Sequence, residues 1–338
     1  MLRRAFLVAA LAACGGHYGG TTAPRADAAK SGKRGVEAAA LPMSVLDART
    51  GHQIADAAFW DQLGRARAVC VGEEHPNPHH HWVQLEIVRR MAKQWPRLAL
   101  GMEMFQRPFQ GVLDDYAAGR IDAAALRSRA GWEDRWGYDF ALYAPIIDGA
   151  VAAKGALLAL NAPKELTKKV SHHGLDALTA DERAQVPQLE LNDAAHRAWF
   201  DALMEDMGGT SAHSKKDDKG EADKDKKPDA EAQEMPSADR IYTVQVIWDE
   251  TMADGAARWL QATPNGRIVI LAGTGHCHDS AIVGRLKRRG VADAVSVRTV
   301  IDDGEGGVAA ALANSMNDFL VVLTMPAEAK EPAAAATK

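Results

Sequence analysis

Two short apolar runs at opposite ends of this chain each lead into the tetrapeptide Gly-x-x-His. Ala68-Val69-Cys70-Val71 precedes Gly72-Glu73-Glu74-His75, and Ile268-Val269-Ile270-Leu271-Ala272 precedes Gly273-Thr274-Gly275-His276. Apolar runs this short and rich in β-branched residues read as buried strands. Glycine lets the backbone turn sharply off each strand. In an open parallel sheet, ligands gather outside the carboxyl ends of the strands. The pattern therefore predicts a parallel sheet with both histidines on one rim. A single Gly-x-x-His says almost nothing; two at strand ends, one with adjacent glutamates, say much more.

The rest of the chain supports that architecture. Strands are expected at 43–46 (a hairpin turning at 49–51), 68–71, 98–102, 156–160, 267–272, 295–300 and 319–323. Helices are expected at 56–63, 79–95, 108–118, 122–130, 140–154, 163–170, 179–186, 193–206, 240–260 and 280–289. Pro145 is expected to bend or restart its helix. Trp82, Leu85, Val88 and Met91 form an apolar stripe on the second of these helices. Alternation of strand and helix predicts an α/β fold: a mostly parallel central sheet with helices on both faces and a site at the strand carboxyl ends.

The chain opens with Arg3-Arg4 and an apolar stretch at 5–13, too short to span a bilayer. Leu11-Ala12-Ala13-Cys14 resembles a bacterial lipobox. Residues 1–14 are thus expected to be a lipoprotein signal peptide, with Cys14 lipidated. An ordinary secretory signal is the alternative, and Sec and twin-arginine export both stay open. Lipidation implies a protein anchored in the bacterial cell envelope, at the outer membrane or its periplasmic face. Residues 15–37 read as a flexible tether. Between Ser214 and Asp229, twelve of sixteen residues are charged, six of each sign. Such a segment buries no core, so 208–237 is expected to be a disordered insert. Residues 327–338 read as a tail. What is left, within 38–326, is about 260 residues, enough for one large α/β domain. With net charge −5 and no basic patch interleaved with aromatics, no nucleic-acid partner is expected. Cys70 and Cys277 do not make a disulfide framework. Cys70 reads as a small buried hydrophobe; a bridge requires that the two strands be neighbours.

Four expected strands end in polar residues: Glu73, Glu74 and His75; Glu103; Asn161; and His276 with His278. Glu103 is a charge embedded in Gly101-Met102-Glu103-Met104-Phe105, and a buried carboxylate must be paired, hydrogen-bonded or metal-bound. Gln245 and Asp249 stand one turn apart on the long helix. His79-His80-His81 cannot all face one way, since each step turns about 100°. Two chemistries suit this set. His75, Glu103 and His276 could hold a divalent metal such as zinc or manganese and activate water. Alternatively, a His–Glu pair acts as general base without metal. No His-Glu-x-x-His spacing and no nucleophile elbow is present. Trp132, Trp136, Tyr138, Phe140 and Tyr143 form an aromatic cluster. It reads either as helix packing or as an apolar ligand wall, where a tyrosinate could bind ferric haem iron.

These motifs resemble a known family. They are Gly72-Glu73-Glu74-His75 with His80 and His81, Gly101 to Phe105, Trp136 through Tyr143-Ala144-Pro145, Asn161-Ala162-Pro163, Gln245 with Asp249, and Gly273-Thr274-Gly275-His276. Together they are similar to the ChaN-like haem-binding uptake lipoproteins of the wider Tiki/erythromycin-esterase-like superfamily, across about residues 40–325. The resemblance implies an α/β domain, an iron-uptake role at the envelope, and haem held in a homodimer with tyrosine on iron. Tyr143 is the first candidate ligand and Tyr138 the second, with His80, Gln245 and Asp249 as further cofactor-binding candidates. The enzyme branches of the superfamily imply a rival, an exported metal-dependent hydrolase using Glu73, His75, Glu103 and His276. The charged insert departs from the family pattern.

Overall fold

The two apolar runs that carry the Gly-x-x-His motifs lie side by side at the centre of one sheet. The computed structural model describes residues 35–211, 236–313 and 315–326. Within them the strands are β1 (Met43–Asp47), β2 (Gln53–Ile54), β3 (Ala68–Glu73), β4 (Leu98–Gln106), β5 (Ala156–Asn161), β6 (Arg267–Gly273), β7 (Ala294–Asp302) and β8 (Phe319–Thr324). Their order across the sheet is β2-β1-β8-β7-β3-β6-β4-β5. All pairs from β8 to β5 are parallel, while β1 runs antiparallel to both its neighbours. β3 and β6 pair in direct register from Ala68↔Ile268 to Glu73↔Gly273, which brings the two motifs level on one rim.

Helices cover both faces, as a buried parallel sheet requires. On one face, α1 (Asp56–Arg65), α2 (Pro78–Gln94) and α6 (Ala144–Ala152) bury Phe59, Leu63, Leu85, Val88, Met91 and Ile146 against Val69, Val71 and Leu100. On the other, α7 (Lys164–His173), α10 (Ala238–Ala262) and α11 (Ile282–Arg288) bury Val170, Ile247, Met252 and Leu286 against Ile268 and Ile270. Three short helices, α3 (Gln110–Ala117), α4 (Ala123–Ala130) and α5 (Trp132–Arg135), lead from β4 to the aromatic segment. α8 (Ala180–Ala184) and α9 (Ala194–Ser211) precede α10, and α12 (Gly307–Ala313) packs near β7 and β8.

Several expectations are corrected. β4 runs on to Gln106, so Glu103 lies within the strand, at an irregularity in its pairing with β5 between Met102 and Gln106. The expected helix 140–154 divides into a 3-10 turn, Phe140–Leu142, and α6, with Pro145 in the first turn of α6, where its missing N–H costs nothing. The short helices α5 and α12 had no expected counterpart. Val36 is buried in the core, so the region read as tether already packs at its far end. Cys70 is bonded to Cys277, with 5.3 Å between their Cα atoms, and is not a free hydrophobe. The insertion of β6 beside β3 makes that bridge. The signal peptide with Cys14, most of the tether, most of the charged insert and the tail lie outside the described residues. Among the described residues no helix is long and apolar enough to cross a membrane.

Candidate functional site

At the end of β3 the Glu73 carboxylate is fully enclosed and fully bonded. Its Oε1 accepts from His75 Nδ1 at 2.8 Å and from the Tyr143 hydroxyl at 2.8 Å. Its Oε2 accepts from Gln84 Nε2 at 2.6 Å and lies 3.5 Å from His81 Nδ1. Burial alone would push this carboxyl up, but His81 and the hydrogen bond from His75 outweigh it and hold it near about 2. His75 points its Nδ1 at Glu73, leaving Nε2 without a protein partner among the described residues. His81 donates Nε2–H to the His75 carbonyl oxygen at 2.9 Å, fixing the turn after the strand.

A second cluster lies one strand away. His276 Nε2 is 3.3 Å from Glu103 Oε1, and its Nδ1 is 2.7 Å from Asp249 Oδ1. Burial opposes a charged ring, yet the two carboxylates raise the His276 imidazole to about 10. Glu103 and Asp249 are held below their usual range by the same pairing, against the desolvation that acts on both. Glu103 Oε2 also accepts the Gly273 N–H at 2.7 Å. The clusters meet at Gly273: a methyl group there would stand 3.1 Å from His75 Cε1 and 3.7 Å from Glu103 Oε2. The absence of a side chain at this position is what lets the imidazole and the carboxylate share one rim.

An aromatic wall closes over His75. Its ring packs on Trp136 at 4.6 Å and on Tyr138 at 4.9 Å between centroids. Trp132 and Tyr143 pack behind, and the Trp132 indole donates to the Tyr138 carbonyl oxygen. Gly137, with φ of +84°, reverses the chain between Trp136 and Tyr138, a conformation suited to glycine.

The sequence-predicted residues thus divide. Glu73, His75, Glu103 and His276 converge on one rim. Gln245 and Asp249, expected to touch a cofactor, lie behind His276: Asp249 Oδ1 accepts its Nδ1–H at 2.7 Å, and the Gln245 amide abuts the same nitrogen at 3.1 Å. His80, also expected at a cofactor, accepts the Glu74 N–H at 3.0 Å, and burial keeps its ring neutral with a pKa near about 3. Tyr143, the first expected iron ligand, is only 1% exposed. Burial and the Glu73 carboxylate raise its phenol well above the ordinary value, so a phenolate there is strongly disfavoured. Tyr138, half-buried beside His75, is the tyrosine nearer solvent. For the expected metal trio of His75, Glu103 and His276, both nitrogens of His276 already face carboxylates. Among the described residues no group of three or more His, Cys, Asp or Glu is arranged to hold a metal ion.

Sequence reasoning missed an outer layer. His196 Nε2 lies 3.1 Å from Asp249 Oδ2, and Arg285 reaches the same oxygen at 3.9 Å. Neither residue has a local signature; each is one polar position in an ordinary helix. Gln84 stands three residues after His81 on an apolar helix face, a legible signal, since a buried amide needs a partner.

The domain is an α/β fold with two buried His–carboxylate clusters at the carboxyl ends of neighbouring strands, one of them under an aromatic wall. Residues 59–286 match the family described as haem-binding uptake, Tiki superfamily, ChaN, and the chain belongs to that family. Among solved structures it is similar to ChaN of Campylobacter jejuni, whose structure is described as showing cofacial haem binding. The identity is 15%, over 83% of this chain and 96% of that one, with a TM-score of 0.58. It is also similar, more distantly, to a mutant of the erythromycin esterase EreC in its open conformation, at 14% identity over 84% of this chain and 83% of that one, with a TM-score of 0.41. No curated protein matches the sequence.

Proposed function

We propose that this chain binds haem at the carboxyl-terminal rim of its sheet and serves iron uptake as a lipid-anchored protein of the bacterial envelope. Family membership supports haem as the ligand. The observation that carries the reading is the aromatic wall of Trp136 and Tyr138 packed on His75 beside the strand ends. Flat apolar ligands favour such walls. The donor set fits haem: a half-buried phenol supplies the hard oxygen that ferric iron accepts. Tyr138 is the proposed iron ligand, and haem would supply the redox-active iron. The lipid anchor rests on the Leu11-Ala12-Ala13-Cys14 sequence. Ferric haem titrated into the protein should give a saturable visible-band shift. The tyrosinate-type band should be lost in Tyr138→Phe and kept in Tyr143→Phe. Absence of any saturable shift in the wild type would refute the reading, and chromatography of the loaded protein tests the homodimer.

A second reading is favoured by the two His–carboxylate clusters, which a passive binder does not need. In it, His75 Nε2 acts as general base toward water, with Nδ1–H oriented by Glu73. Turnover of an ester or peptide substrate, abolished by His75→Gln, would establish it.

A further inference from the structure

Four neighbouring parallel strands are each entered by a cation, at the end of the sheet opposite the rim. Arg67 precedes β3, Arg267 begins β6, Arg97 precedes β4, and Lys154 stands two residues before β5. These strands lie in the order β3-β6-β4-β5. The backbone fixes the row: the Arg267 N–H donates to the Arg97 carbonyl oxygen at 3.0 Å, and the Ile268 N–H to the Arg67 carbonyl oxygen at 2.9 Å. At about 4.8 Å per strand the row is about 14 Å long. Lys93, exposed in the last turn of α2, adds to it. Beyond β3, strand β7 is entered by Asp293 instead, and the row stops there.

In a chain of net charge −5, a row of like charges needs a cause. Part of it is internal. Arg67 Nη2 donates to the Leu260 carbonyl oxygen near the end of α10 at 3.0 Å, and Arg267 Nη1 to the Ala66 carbonyl oxygen after α1 at 2.7 Å. Cations at helix carboxyl ends are favourable. That account leaves out the exposed residues. Arg97 reaches only the Pro264 carbonyl oxygen, at 3.4 Å, and the Lys93 and Lys154 ammonium groups have no hydrogen-bond partner among the described residues. Nor is any cation of the row paired with a carboxylate among those residues, whereas Arg49, Arg107, Arg127, Arg135 and Arg197 each hold one. Unpaired like charges repel one another, and a negative partner outside the chain relieves this.

The path of the chain bears on the partner. Glu37 pairs with Arg89, near the carboxyl end of α2, and two residues later the Ala39 carbonyl oxygen accepts from His79 Nδ1, in the first turn of α2, at 2.6 Å. The chain therefore climbs α2 toward the rim, and at residue 35 it faces the basic end. Cys14, the candidate lipid anchor, lies upstream of that point. We propose that the amino-terminal end of the sheet docks on an anionic lipid bilayer through Lys93, Arg97 and Lys154, with the rim site turned away from the membrane. Headgroup phosphates supply the acceptors that these side chains lack. Each cation held near such a surface strengthens binding about fivefold. The basic face is defined by its own residues; the choice of a bilayer over a soluble polyanion rests on the lipid anchor of the proposed function.

Vesicle flotation tests the docking, with the full chain carrying Cys14→Ser, which cannot be acylated. All variants share the residues before 35, so differences among them report the domain. Arg97→Glu with Lys154→Glu should weaken binding to phosphatidylglycerol vesicles about thirtyfold or more and leave phosphatidylcholine binding unchanged. Lys164→Glu with Lys168→Glu changes the net charge equally, but Lys164 lies beyond the far end of β5, about 20 Å from the basic face. At physiological salt that is beyond screening distance, and the loss should stay below about threefold. Equal losses in the two double variants, or no preference of the parent for phosphatidylglycerol, overturn the proposal. Unchanged vesicle binding with lost retention on heparin also overturns it, in favour of a soluble polyanion. Where thermal unfolding shows that Arg97→Glu disturbs the fold, Lys93→Glu with Lys154→Glu makes the same charge change without it. Palmitate labelling of the wild-type chain in bacteria tests the anchor separately. Face-dependent binding without labelling upholds the docking face and refutes the anchor; labelling without face-dependent binding does the reverse.

Discussion

Nε2 of His276 lies 3.3 Å from Oε1 of Glu103, although the two residues rise from neighbouring strands far apart in sequence. With Asp249 on Nδ1, the ring has a carboxylate at each nitrogen and titrates near about 10, against 6.5 for an ordinary histidine. Below pH 6.5 folded and unfolded chains are both protonated there, and the stabilisation is complete. Between 6.5 and about 10 only the folded chain holds the proton, so stability must fall as pH rises. Urea unfolding across this window should show a steeper decline in the wild type than in His276→Gln, which keeps only the smaller contribution of His75, raised by Glu73; parallel curves would refute the pairing.

Tyr143→Phe removes one hydrogen bond to a buried carboxylate. It should cost about 1.5–3 kcal/mol in denaturant unfolding, because Glu73 keeps its partners His75 and Gln84 but loses a donor at Oε1. A ferric haem spectrum that survives this change and fails in Tyr138→Phe would place the two phenols in different roles.

Glu250 is 1% exposed and paired with Arg288 and Arg289 at 2.6 Å and with the wholly buried Arg285 at 3.2 Å. Glu250→Ala leaves Arg285 without this partner and should destabilise the fold by about 3–5 kcal/mol. Since Arg285 also faces Asp249, the loss should appear in the pH profile of His276 as well. Stability within about 0.5 kcal/mol of wild type would contradict this account.

The Cys70–Cys277 bond ties β3 to the loop that follows β6. Cys70→Ala with Cys277→Ala should cost about 2–5 kcal/mol. It should also loosen His276, the neighbour of Cys277. Wild type in a dithiol reductant and the double variant should unfold at matching midpoints.

Much of the sheet was legible because buried parallel strands announce themselves as short apolar runs, and the Gly-x-x-His tetrapeptides mark where two of them end. The strand order was not, since nothing local to residues 68–73 or 267–273 says that they are neighbours. The disulfide followed from that order and shared its obscurity. At the site, Glu103 was legible as a charge among apolar residues, but not its pairing with His276. The aromatic cluster was visible, while the choice between its two phenols was not. Gly137 turns the chain between them, and only the folded backbone shows that Tyr143 points inward to Glu73. His196 and Arg285 were unreadable, because a single polar residue on a helix acquires meaning only from what packs against it.

The bridge has one more consequence. It closes a ring of chain that begins at residue 70, ends at residue 277 and contains the whole charged stretch from Ser214 to Asp229. A protease that cuts once anywhere inside that ring makes two polypeptides but not two molecules. The nicked protein would run as one species on a denaturing gel until a thiol is added, then fall into two pieces whose sizes report where the cut lies.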